Sequence, residues 1–138
     1  MNYIKTLSLM ALSLTATAGT IFSGDYKLNL YFGDSPPFTD TIHVSHSQSG
    51  LPSGTMHVPN DFDAILDGLT KFEDTVVFTV LVPKNASRPD DMVFRYIANI
   101  FAPDSNSLAG FVDLISVAGK PVTKTTYVGT FVGFRITQ

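Results

Sequence analysis

From Tyr26 onward, apolar side chains recur at every second position. Tyr26, Leu28, Leu30 and Phe32 fall on one side of an extended chain, and Lys27, Asn29 and Tyr31 on the other. That period is the mark of a half-buried β-strand, whose successive side chains leave opposite faces. Ile42 and Val44 alternate in the same way with His43 and Ser45, and Met56 and Val58 with Thr55 and His57. Two more strands are predicted there, with turns at residues 33–37 and 45–50, and Pro59 ends the third strand. Residues 60–71 break the pattern. Phe62, Ile65, Leu66 and Leu69 recur at helical spacing, Asn60 or Asp61 can cap the N-terminus, and Gly68 can stop the helix. A strand showing Phe62, Ala64 and Leu66 on one face fits nearly as well; a short helix is the expectation.

Four β-rich stretches follow. Residues 74–83 are β-branched around Phe78, and residues 92–101 put Met92, Phe94, Tyr96, Ala98 and Ile100 on one face. Residues 107–117 lead to a hairpin tip at Ala118-Gly119, and 121–136 form a long last segment that can bend at Gly129 or Gly133. Residues 84–91 read as a polar loop. The count is seven or eight strands joined mostly by short turns. Such neighbours pair with each other, and a meander of that length closes because closure removes exposed edges. The predicted fold is an all-β, seven- or eight-stranded antiparallel up-and-down β-barrel with one short helix. Its interior would hold Tyr26, Leu28, Leu30, Ile42, Val44, Met56, Phe78, Phe94 and Phe131. The later strands are apolar on both faces, with Val93, Ile97 and Phe101 opposing Phe94 and Tyr96. The helix or a second subunit is expected to cover that outer face.

Composition adds a destination. Lys5 gives residues 1–5 one positive charge, Leu7 to Leu14 form a short apolar core, and Ala16-Thr17-Ala18 fits the small-x-small cleavage rule. Residues 1–18 therefore read as an export signal and 19–138 as a single barrel domain of about 120 residues. A domain of that size buries roughly two-thirds of its unfolded surface and folds without staples. The chain has no cysteine, which excludes disulfides, thiolate nucleophiles and zinc–thiolate sites. A cysteine-free exported domain points to a bacterium, and to the periplasm or the cell exterior. The formal charge is −3 with no Lys/Arg run, so no attraction to a phosphate backbone is expected and nucleic acid is not a partner. Tryptophan is absent and aromatic girdles are not evident, so no integral membrane insertion is expected.

Gly24-Asp25-Tyr26 opens the first strand, Arg135 lies on the last, and Gly50-Leu51-Pro52-Ser53-Gly54-Thr55 forms a turn and the next strand. In these features the chain resembles the calycins, the lipocalin and avidin-like barrels. Those families open with Gly-x-Trp and pack a basic residue of the last strand over the aromatic ring. Tyr26 stands here in place of the tryptophan. The resemblance implies a barrel with Arg135 as a lid over Tyr26. It does not carry over biotin binding, which in avidin-like proteins relies on several tryptophans.

Candidate chemistry is sparse. His43 and His57 lie on the polar faces of adjacent strands and face each other if the hairpin centres on Gly50, close enough to share a metal but short of further ligands. Asp61, Asp63 and Asp67 form an acidic group that lacks the glycine and terminal glutamate of a calcium loop. There is no Gly-x-Ser-x-Gly elbow and no phosphate-binding glycine loop. No catalytic residue and no cofactor are predicted. The leading expectation is a barrel that binds a small apolar ligand through Tyr26, Leu28, Leu30, Phe78, Phe94, Tyr96 and Phe131. The alternative is a structural or interaction module that self-associates.

Overall fold

The computed structural model describes residues 22–101, 105–124 and 128–136, so residues 1–18, expected to be an export signal, lie outside it. Ten strands follow one another: β1 (Gly24–Tyr31), β2 (Phe38–His46), β3 (Pro52–Val58), β4 (Phe62–Ile65), β5 (Asp67–Phe72), β6 (Thr75–Val82), β7 (Met92–Phe101), β8 (Ser107–Val117), β9 (Lys120–Pro121) and β10 (Val128–Arg135). All pairings are antiparallel, in the order β4-β3-β2-β1-β10-β8-β7-β6-β5, with the two-residue β9 attached to β8. The two ends of this path, β4 and β5, are joined in the chain by Leu66 alone. The sheet thus curls into a nearly closed up-and-down barrel.

The closing segment corrects the expectation of a helix. Residues 62–72 are extended, and there is no helix among the described residues. The first half pairs with β3 and the second half with β6, so one bent strand spans the seam. The bend has local causes. Leu66 N donates to Gly54 O at 2.9 Å, and its side chain lies where a Cβ on Gly54 would be, 2.7 Å from the Leu66 methyl. Two residues on, Gly68 takes φ +62° and the β5–β6 register slips between Asp67 and Thr70. Glycine enters that left-handed region without a Cβ penalty, as a bulge requires. Splitting this strand, and adding β9, raises the count above the seven or eight expected. The last segment differs too: 121–136 is not one strand, since β9 ends at Pro121 and β10 begins at Val128.

Inward residues follow the period-two pattern. Tyr26, Leu28, Leu30, Ile42, Val44, Met56, Phe78 and Phe131 are buried, and Phe94 is half-buried. Phe22, Leu66, Val76, Val80, Tyr96, Ala98, Ile100, Leu108 and Val112 complete the centre among the described residues. Phe78 stacks on Tyr96 with ring centroids 4.8 Å apart, and Phe131 meets the other side of Tyr96 edge-on at 5.5 Å. Offset and edge-on contacts of this kind add about 0.5–1.5 kcal/mol each beyond area burial. The outer face of β7, β8 and β10 is not covered by any described element. Ile97 and Phe111 are cross-strand partners there, and both are exposed, as are Phe101 and Phe134.

Candidate functional site

The barrel has unlike ends. At one, the start of β1 meets the end of β10 with Tyr26 opposite Arg135. The Arg135 guanidinium lies 5.4 Å from the Tyr26 ring centroid, and its Nη2 donates to the Tyr26 hydroxyl at 2.9 Å. That hydroxyl donates in turn to the backbone carbonyl of Ser105 at 2.9 Å. Phe22 packs on the same tyrosine ring, 5.1 Å between centroids. Every polar group of Tyr26 is thus satisfied at zero exposure, and this end is plugged.

The other end carries the β1–β2, β3–β4 and β6–β7 connections, and it is open. A cavity of about 250 Å³ enters there between the strands. Its wall is apolar: Leu30, Phe32, Phe38, Val58, Phe62, Val82, Met92 and Phe94, with Met56 and Tyr96 reaching it from the core. Of the residues expected to bind a ligand, the structure brings Leu30, Phe94 and Tyr96 to this cavity. Tyr26, Leu28, Phe78 and Phe131 lie in the solid core instead and do not line it. Small residues shape the wall. Gly129 on β10 leaves the space that Phe32 fills, because a Cβ there would stand 2.2 Å from the Phe32 ring.

The rim is built by the β6–β7 loop. Asn85 Oδ1 accepts from Ser87 N and Arg88 N, both at 2.8 Å, which folds the loop into a tight turn. Arg88 then grips Asp61 of the β3–β4 turn with two parallel bonds of 2.7 and 2.9 Å. Its Nε and Nη2 also donate to Pro83 O, and the guanidinium lies 5.7 Å from the Phe62 ring centroid. The fork geometry of arginine suits this bidentate grip. The hydrogen bond from Arg88 holds the Asp61 carboxyl below the usual carboxylate range.

Comparison with known protein families, curated sequences and solved structures gives no match. The chemistry of the cavity itself is therefore the guide to what it accepts. One charged side chain stands on its wall inside the rim. Asp40 on β2 is 7 % exposed, and no hydrogen bond or ion pair joins its carboxylate to another described residue. Burial first, and then the negative charge of Asp61, push its pKa up to about 6 against a lowering by His57. The hydroxyl of Tyr96 shares the cavity, 3.9 Å from Met56 Sδ. Burial, then the charge on Asp40, pushes its pKa well above the ordinary value.

Period-two reading could have found Asp40. It sits two residues before Ile42 and four before Val44, so it shares their inward face.

The remaining candidates fall elsewhere. The β2–β3 hairpin centres on Ser49, not Gly50, so His43 pairs with Thr55 and His57 with Thr41. A one-residue shift of the turn moves the pairing by two residues, and the histidines are diagonal rather than facing. Each has its own carboxylate instead: His43 Nδ1 meets Asp25, and His57 Nδ1 meets Asp63. Asp61 is held by Arg88 and Asp63 by His57, so the acidic group is dispersed; no three His, Asp or Glu side chains converge among the described residues.

Proposed function

We propose that this barrel is a binding module for one small ligand with an apolar body, taken up at its open end. The observation that carries the reading is a cavity of about 250 Å³ with an apolar wall and a packed floor. Barrels of this width either fill their interior with side chains or hold one small ligand. This one combines both behaviours: it is solid from Tyr26 to Tyr96 and hollow beyond. An apolar cavity of roughly 150 Å³ already accepts benzene, so this one suits a single ring with a short tail. The layout is calycin-like in having one plugged and one open end, with Arg135 over Tyr26 in support. Export to the periplasm or the exterior of a bacterium rests on residues 1–18, and N-terminal sequencing of the processed protein tests it. The outer strand positions carry charge at Lys27, Asp63, Arg95 and Asp113. A lipid-facing barrel surface would be apolar at those depths, which supports a water-soluble module.

The test is displacement of an environment-sensitive apolar dye by small aromatic compounds. A Met92→Trp variant, which fills the cavity, should abolish binding while melting near the wild type. Equal dye binding by wild type and Met92→Trp would refute the reading. The exposed Ile97, Phe101, Phe111 and Phe134 support a second reading, self-association through β7, β8 and β10. Sedimentation of wild type and Phe111→Lys at high concentration decides it: a monomer in both cases ends that reading.

A further inference from the structure

We propose that the ligand is cationic, an ammonium group on a small aromatic or branched apolar body, with the Asp40 carboxylate as its counter-ion. This rests on the cavity being the binding site.

A carboxylate on an apolar cavity wall is costly unless something neutralises it. The one arginine lining the cavity among the described residues is already committed, because Arg88 gives its forked donors to Asp61 and Pro83 O at the rim. That pair cancels its own charge, so the cavity is left with the charge of Asp40. Around it stand aromatic rings, Phe32, Phe38, Phe62, Phe94 and Tyr96. Ring faces attract a cation and do not attract a carboxylate. The Tyr96 hydroxyl supplies one further acceptor for an N–H donor. An anionic ligand would meet Asp40 with no unengaged arginine among the described lining residues to offset it. A neutral ligand would leave the Asp40 carboxylate buried and uncompensated. A cation satisfies both the carboxylate and the rings.

The charged and titratable groups that face Asp40 are Asp61 and Arg88 on the rim and Tyr96 on β7, while His57 acts on it from the outer face of β3. Binding of a cation requires ionised Asp40, so affinity should weaken as pH falls through about 6. A neutral ligand of the same shape has no such dependence through Asp40.

The experiment is calorimetric titration of the processed protein with 2-phenylethylamine, 2-phenylethanol and 3-phenylpropanoate at pH 8 and pH 5. The amine should bind roughly tenfold or more tighter than the alcohol at pH 8, the size of one charge-assisted hydrogen bond. The acid should be the weakest of the three. Asp40→Asn should abolish the advantage of the amine over the alcohol, by weakening the amine and by relieving the alcohol of a buried carboxylate. If amine and alcohol bind alike and both are lost in Met92→Trp, the cation preference is wrong and the pocket stands. If none of the three competes with the apolar dye, pocket and preference fall together. An amine preference that persists in Asp40→Asn also overturns the assignment of the counter-ion.

Discussion

The plugged and open ends of this barrel use the same materials to opposite effect. Each has an arginine lying over an aromatic ring: Arg135 on Tyr26, and Arg88 on Phe62. At the plugged end the ring points inward from a strand, and the arginine belongs to the strand next to it. The pair therefore sits inside the cylinder and fills it. At the open end the arginine belongs to a loop and is drawn outward to Asp61 in a turn. It braces the rim and leaves the space below it empty. The difference teaches that an end is sealed when its polar cap is tied to the sheet, and stays accessible when the cap is tied to another loop.

This contrast can be broken most severely at Tyr26. Tyr26→Ala should cost ~3–5 kcal/mol in urea unfolding, because it opens a cavity and orphans the Ser105 carbonyl. Phe94→Ala, at a half-buried cavity position, should cost ~1–2 kcal/mol and weaken dye binding instead. Equal costs would erase the distinction between the ends. Arg135→Ala comes next, at ~1–2 kcal/mol for a lost hydrogen bond and cation–π contact.

Asp40 sharpens the comparison with the opposite sign. Its folded pKa is raised from 3.8 to about 6, so the folded state holds its proton more tightly than the unfolded chain. Stability is then lost as pH climbs from about 4 to 6, and the penalty is complete above that range. Asp40→Asn should therefore be more stable than wild type at pH 8 and no more stable at pH 3. Two pKa units correspond to roughly 3 kcal/mol, but a cavity open to solvent screens the charge, so ~1–2 kcal/mol is expected. Melting curves of both proteins at the two pH values measure it. The smallest effect belongs to Arg88→Ala. The melting temperature should fall only slightly, since a half-buried ion pair on the rim braces two loops and not the core, while amide exchange across 84–91 accelerates.

Much of the sheet was legible because its strands alternate apolar and polar residues cleanly. Tyr26, Leu28 and Leu30 against Lys27 and Asn29 admit only one inward face. The stretch 62–72 misled for a definable reason. Its inward positions are Phe62, Ala64 and Leu66, and then, after the bulge at Gly68, Leu69. The three-residue step from Leu66 to Leu69 imitates a helical repeat, and Ile65, which completed that repeat, is in fact exposed. The cavity was less legible than the sheet. Whether an inward phenylalanine fills the centre or walls a hollow depends on its height along the axis, which periodicity does not encode. Phe78 and Phe94 are alike in sequence; one packs into the floor and the other borders the opening. Asp40 was the least legible residue of all, because a carboxylate on an apolar face is easily read as the ragged end of a strand.

The pairing of the first strand with the last has a consequence for how the molecule comes into being. Tyr26 and Arg135 are 109 residues apart in the chain, yet they bond to each other. While residues 128–136 are still unmade, β1 and β8 each lack a neighbour and Tyr26 has no guanidinium above it. Nothing resembling the finished cylinder can persist before those residues are made, so its assembly waits for β10. A chain lacking that one strand should behave as an unfolded polymer rather than as a slightly damaged barrel.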